Sequence, residues 1–419
     1  MPVVRVLIVT SGSMGDVAPY TGLGGRLRDA GHEVTVATHA PFRATIEAAG
    51  LGFRAIPGDM RALLPQARGQ DGVTSGTSPR ALARLLRIAR PLVGSLGAGI
   101  ADAVSAVRPG AVLLSTLVAP LGYQVADGFR VPWAGVFLQP VQPTREFGSV
   151  LVGGRSLGPY GNLLLGRLVD VSVRPLYAGP IRNLRRDLGL PPASLRALQR
   201  SQQFRYPTFH GFSPSVVPRP ADWPAAMRVT GYWWPARPAG WTPPPALVDF
   251  LAAGPPPVFI GFGSMAPGRG ERFAGPVLAA VRRADVRAVV QAGWSGLDVG
   301  AADDVITVGE LPHDWLFPQV AAVVHHAGAG TTAAGLRAGV PAVPVPVLAD
   351  QPFWARRLTA LGVAPGPLPL SSLSADRLAA ALRAVTTDPH YAARAAAIAA
   401  RLSTEDGAAP VLDWLTTLP

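Results

Sequence analysis

Short β-rich runs alternate with helix-like runs along this chain, stop at a cluster of prolines near its middle, and then begin again. Val3–Thr10 is a β-rich run, residues 20–30 read as a helix, and Glu33–Thr38 reads as a second strand. Residues 41–49 are again helical, Phe53–Ile56 is a short third strand, and Ala111–Ser115 and Trp133–Phe137 continue the series. Such alternation demands crossover connections, so the strands run parallel and helices cover both faces of the sheet. In the second half the strand candidates are Pro257–Gly261, Val286–Gln291, Val305–Val308, Ala321–His325 and Ala342–Val345. Helical stretches near 271–283, 331–338 and 351–361 separate them, and a helix pair over 375–415 follows. A chain of 419 residues exceeds what one core usually serves, so two domains of roughly 200 residues are expected. The fold class is α/β: two doubly wound, Rossmann-like domains facing across a cleft, with ligands at the strand C-termini.

Residues 145–200, rich in Arg, Leu and Gly, read as helices beside the first sheet. Pro214, Pro218, Pro220 and Pro224 crowd one interval and mark a linker over 216–228. It separates an N-terminal domain (1–215) from a C-terminal domain (229–395), and 396–419 is expected to form a helix crossing back to the first.

The formal charge of +12 comes from arginine alone, as the chain has no lysine. No basic block is interleaved with aromatics, so nucleic acid is not an expected partner. The absence of cysteine excludes a disulfide framework, a thiol nucleophile and a thiolate metal site. The N-terminal apolar run is too short for a signal peptide, and the apolar stretch 109–126 is broken by Pro109 and Pro120. A soluble cytoplasmic protein, monomer or homodimer, is the expectation, with weak membrane contact left open.

Two segments of the second half carry chemistry. In HHAGAGTT (325–332) a strand ends, small residues turn the chain and a helix begins. That places several backbone N–H groups around one point, a ready anion site. Gly328 and Gly330 let the main chain approach phosphate oxygens, while Thr331 and the His326 ring add donors. The plain alternative is a tight strand–helix turn with an incidental histidine pair. Zinc is disfavoured, because adjacent histidines on a strand point to opposite faces and no third ligand is suitably spaced. In LADQPFWARRL, Asp350 and Gln351 follow an apolar run. A carboxylate beside an amide can hold adjacent sugar hydroxyls, although Asp350 could equally be a helix N-cap.

In the first half SGSMGDVAP (11–19) bends the chain after the first strand. A nicotinamide-binding domain would show GxGxxG here and an acidic residue closing the second strand. This chain has neither, its second strand ending Ala37-Thr38-His39.

Taken together and in this order, HHAGAGTT and DQP resemble the donor-binding half of the family-1 glycosyltransferases of GT-B fold. The nearest subset is the bacterial antibiotic and sterol glycosyltransferases, whose usual string is HHGGAGTT; Ala327 stands where a glycine is common. The resemblance implies that His326 contacts the nucleotide diphosphate, that Gly328, Gly330 and Thr331 hold it, and that Asp350 and Gln351 bind sugar hydroxyls. It implies main-chain contacts to the base near Leu311 and a phosphate-side donor at Ser264 in GFGSM. Trp294 is expected near the nucleoside, with an ordinary core tryptophan as the alternative. Gly15-Asp16-Val17-Ala18-Pro19 matches the subset's GDxxP, which makes Asp16 the general base. The alternative for Asp16 is a helix N-cap. With Ser115-Thr116 where a partner carboxylate would stand, Asp16 is expected to act without an orienting partner. His313 is expected to be structural or adjacent to the base, and His32, His39 and His210 surface or core.

The resemblance implies an inverting transfer of a hexose from a UDP- or dTDP-sugar to a hydroxyl of an apolar natural-product, macrolide, polyketide or sterol-like acceptor. No metal or other cofactor is expected. Segments 60–90 and 139–185 are the expected acceptor walls. The alternatives are a lipid-linked-sugar transferase at a membrane surface and a non-catalytic nucleotide-sugar-binding partner.

Overall fold

A strand buried on both faces must be apolar along its length, and Val6, Leu7, Ile8 and Val9 are all closed to solvent. They form β1 (Arg5–Val9) in a computed structural model that describes residues 3–58, 79–198, 206–238, 240–263, 270–293 and 296–418. Six parallel partners complete its sheet: β2 (Glu33–Thr38), β3 (Gly52–Ala55), β4 (Ala111–Leu114), β5 (Trp133–Phe137), β6 (Thr208–His210) and β7 (Met227–Val229). Their order is β3-β2-β1-β4-β5-β6-β7, with Val6 opposite both Val34 and Ala111. The intervening helices are α1 (Met14–Asp29), α2 (Arg43–Ala48), α3 (Pro79–Val107), α4 (Ala119–Phe129) and α5 (Gly158–Asp187). The two-residue period of β1 divides the core. Leu7 and Val9 pack with Leu96, Ile100, Leu121 and Leu184, whereas Val6 and Ile8 pack with Val17, Leu23 and Ile46.

The second sheet has the order β10-β11-β9-β8-β12-β13. Its strands are β8 (Val258–Gly261), β9 (Ala288–Gln291), β10 (Ala301–Ala302), β11 (Val305–Val308), β12 (Ala322–His325) and β13 (Ala342–Pro344), of which only β10 is antiparallel to its neighbour. Its helices are α6 (Pro245–Ala252), α7 (Gly270–Ala284), α8 (His313–Leu316), α9 (Ala329–Ala338), α10 (Gln351–Ala360), α11 (Ala375–Thr387) and α12 (Pro389–Leu402). In both sheets the strand order reverses once, between β1 and β4 and between β8 and β12. Ligands of such sheets bind beyond the strand C-termini at that reversal.

The chain divides into one unit of Met1–Ala239 with Glu405–Pro419 and another of Gly240–Thr404. The stretch expected as a linker, 216–228, falls within the first of these units. It runs into β7, and the Arg219 guanidinium cinches it by donating to the carbonyls of Pro220, Trp223, Pro224 and Met227. A last helix, α13 (Ala409–Thr416), follows α12, so three helices stand where the sequence suggests a pair. Its Val411 and Leu415 enter the core behind Val6 and Ile8. Ahead of it, Ser213 and Ser215 donate to Glu405 at 2.6 and 3.0 Å, and Trp233 Nε1 donates to the Gly407 carbonyl at 2.8 Å. Among the described residues no helix is long and apolar enough to cross a membrane.

Candidate functional site

At the first reversal, β1 leads through Thr10 and Ser11 into Gly12, whose φ of 146° is open to glycine. A Cβ there would collide with the Asp16 carboxylate. Helix α1 already starts at Met14, earlier than the expected 20–30, and carries Pro19 within it. Ser13 is its N-cap, which puts Asp16 at the third helical position. Asp16 is therefore not the N-cap. Its Oδ2 accepts from the Ser13 N–H at 2.9 Å and from Ser13 Oγ at 3.0 Å, and its Oδ1 accepts from Gln139 Nε2 at 3.4 Å. Gln139, just past β5, is in turn met by Thr116 Oγ1 at 3.5 Å. The expectation of an unassisted carboxylate is corrected here, because Ser13 and Gln139 orient it. Burial raises the Asp16 pKa above 3.8, and the Ser13 and Gln139 hydrogen bonds pull the other way.

At the second reversal, His326 follows the end of β12 and lies against the turn that leaves β8. Cβ atoms built at Gly263 and Gly328 would stand 2.8 and 2.5 Å from its ring, so only glycine fits on either side. The ring's Nδ1 is closed to solvent and has no hydrogen-bond partner. Burial, with His313 nearby, lowers its pKa to about 4, so the ring is neutral near pH 7. His325 is buried, its Nδ1 accepts from the Ala327 N–H at 3.2 Å, and burial, with His326 and His313 nearby, lowers its pKa to about 3. Helix α9 opens with Gly328 as N-cap, and its first internal bond runs from the Thr332 N–H to the Gly328 carbonyl at 2.9 Å. The N–H groups of Ala329, Gly330 and Thr331 thus precede the first helical hydrogen bond, which leaves them to an anion.

Past β13, Asp350 occupies the N-cap position of α10 without making a side-chain cap. Its Oδ2 instead accepts from Trp354 Nε1 at 2.8 Å. Gln351 is buried, and its Oε1 accepts from the N–H groups of Val347 at 2.8 Å and Leu348 at 3.1 Å. The amide NH2 is then the part of Gln351 that remains for a sugar, fewer groups than the sequence suggests. Leu311, after β11, packs with the cluster around Leu316 and Phe317. His313 stacks on Phe317 at 4.4 Å. His32, His39 and His210 are buried. Ser264 and Trp294 lie outside the described residues.

Residues 6–96 match the glycosyltransferase family 28 N-terminal domain, and residues 276–417 match the erythromycin biosynthesis protein CIII-like C-terminal domain. The O-mycaminosyltylonolide 6-deoxyallosyltransferase of Streptomyces fradiae is 37% identical over 425 aligned residues, covering 99% of this chain and 98% of that protein. The chain belongs to the family-1 GT-B glycosyltransferases. A sterol 3-beta-glucosyltransferase of Arabidopsis thaliana (UGT80B1) is 33% identical over 424 residues, 99% of this chain and 68% of the relative. The crystal structure of glycosyltransferase VinC in complex with dTDP shares the fold, with a TM-score of 0.68 at 20% identity and 98% of each chain covered.

Two residues of this glycosyltransferase escape sequence reading for different reasons. Ser13 was within reach, since Ser-x-x-Asp ahead of an apolar run is a helix-start signature. Gln139 stands 123 residues from Asp16 and has no local signal. Among the described residues of the glycosyltransferase, no group of three or more His, Asp or Glu side chains is placed to share a metal ion.

Proposed function

We propose that this glycosyltransferase moves a hexose from a UDP- or dTDP-sugar to a hydroxyl of an apolar macrolide, polyketide or sterol-like acceptor, inverting the anomeric carbon. The observation that carries it is the Asp16 carboxylate at the first reversal, desolvated and held by named donors. Burial brings a carboxylate closer to the basicity that proton abstraction from an alcohol requires. Asp16 takes the acceptor proton, the acceptor oxygen bonds to the anomeric carbon, and the bond from that carbon to the diphosphate breaks. One displacement inverts configuration. The charge on the departing diphosphate falls to the free N–H groups of α9, to the Thr331 hydroxyl and to a ring N–H of His326, rather than to a metal ion. Gly328 and Gly330 admit the phosphates, Asp350 and the Gln351 amide hold sugar hydroxyls, and the main chain near Leu311 meets the base. Ser264 and Trp294 are proposed beside the phosphates and nucleoside on the family resemblance alone. The relatives support the acceptor class, one being named for a tylonolide macrolide and another for a sterol.

A donor panel read by thermal shift, followed by turnover with the donor that stabilises most, tests both halves. UDP or dTDP is expected to raise the melting temperature, and no response to either would remove the donor assignment. Asp16→Asn is expected to keep that response and lose roughly 100- to 10,000-fold in turnover. Wild-type turnover in this variant would remove the base. Turnover is expected to survive EDTA, and a loss restored by Mg2+ would reassign the leaving charge to a metal.

A further inference from the structure

Among the described residues, nine large apolar side chains are exposed, and six of them fall between Leu151 and Val171. Five lie on one helix or at its mouth: Leu157, Tyr160, Leu164, Leu168 and Val171, each between 51 and 80% open to solvent. Their spacing of three, four, four and three residues places them on one face at 3.6 residues per turn. The opposite face of α5 supplies the buried contacts, with Gly166, Val169, Leu176 and Tyr177 turned inward. The helix is thus apolar on two faces, and its own unit uses one. A soluble helix of this kind ordinarily buries both.

This ridge is held, not frayed. Asn162 accepts from the Leu157 N–H at 2.7 Å and donates to the Arg145 carbonyl at 3.0 Å and to Ser156 Oγ at 3.1 Å. It ties the start of α5 to the preceding loop. Cations border the ridge. The Arg145 guanidinium lies 5.5 Å over the Tyr160 ring, and Arg155 and Arg167 are exposed. Among the described residues none of these three guanidinium groups pairs with an acidic side chain: Asp170 pairs with Arg174 at 3.0 Å, Glu146 accepts from the Ala221 N–H at 2.6 Å, and Asp222 accepts from Thr144 Oγ1 at 2.6 Å and from the Arg145 N–H at 2.9 Å.

We propose that the ridge of α5 rests on an anionic lipid surface, with the leucines and Val171 in the acyl boundary and Arg145, Arg155 and Arg167 at the headgroups. A convex row of side chains needs no matching groove in a fluid surface. A tyrosine flanked by arginines suits the interface, where its ring is apolar and its hydroxyl wet. A second copy of the same face would set arginine against arginine. Contact of this kind is peripheral and draws on buried apolar area plus attraction to anionic headgroups. It holds whichever donor and acceptor are used.

The test is co-sedimentation of the full chain with vesicles of phosphatidylcholine alone and of phosphatidylcholine with phosphatidylglycerol, at low and high salt. Binding to the anionic vesicles, weakened by salt, is expected. Leu164→Ser with Leu168→Ser should weaken it at least about tenfold, since each leucine forfeits part of its transfer free energy. Arg155→Gln with Arg167→Gln should abolish the preference for phosphatidylglycerol. These positions are exposed, so an unchanged melting temperature verifies the fold. Equal binding by the leucine variant, or no binding by the wild type, overturns lipid contact. So does sedimentation velocity showing a wild-type dimer that the leucine variant splits, because the ridge would then be covered by a second copy.

Discussion

Asp16 is held in a tension that its neighbours define. Desolvation raises its pKa, while the Ser13 N–H, the Ser13 hydroxyl and the Gln139 amide stabilise the charged form. For a carboxyl whose folded pKa is raised, the native state binds more protons than the unfolded chain above 3.8. Stability is then lost as pH rises through the folded value, so ionised Asp16 weakens the fold near neutrality. Removing the hydroxyl in Ser13→Ala takes away one donor to the carboxylate and pushes the pKa further up. The acid limb of kcat/KM is therefore expected to move to higher pH, with Ser13→Thr restoring it. A pH–rate profile checks this, and a limb that stays in place would show that the hydroxyl serves only the helix cap.

At the scale of elements, the turn from β12 into α9 carries its own strain. Five described non-glycine residues have positive φ, and three of them, Arg108, Arg130 and Asp285, sit where helices end. Ala327 (φ 60°) and Ala349 (φ 57°) instead occupy the two turns that aim α9 and α10. An L-residue in the left-handed region costs roughly 1–2 kcal/mol, offset in part by the lower chain entropy of alanine compared with glycine. Ala327→Gly is accordingly expected to stabilise the protein by about 0.5–1 kcal/mol in urea unfolding. Destabilisation would mean that the buried methyl group packs too well to lose. The elements themselves were largely legible, because fully apolar strands such as Ala111–Leu114 and Trp133–Phe137 advertise a parallel sheet. Thr208–His210 and Met227–Val229 were not, being three-residue strands whose neighbours, rather than their own pattern, place them. The donor turn was readable as contiguous sequence. The network on Asp16 was readable only as far as Ser13, since Gln139 arrives from another strand.

For the molecule as a whole, buried histidine sets the response to acid. His210, bonded to the Gln142 side chain at 2.9 Å, and His325 both have pKa values lowered to about 3 by burial. A folded pKa below the ordinary 6.5 means that the native state binds fewer protons than the unfolded chain, so stability falls as pH drops below that value. Each such group can contribute at most about 1.4 kcal/mol per pH unit. The melting temperature is expected to fall between about pH 7 and about pH 5, and His210→Gln should flatten that fall. An identical slope in the variant would place the acid sensitivity elsewhere.

The return of Glu405–Pro419 to the first unit has a consequence for biosynthesis. Val411 and Leu415 fill the core behind β1, which is translated well before them. That core must wait, one face incomplete, until all of Gly240–Thr404 has been translated. The later-made unit is contiguous and can close first. In a cell, the half that carries Asp16 would be the last to mature, and its unfinished sheet would be the surface that chaperones find.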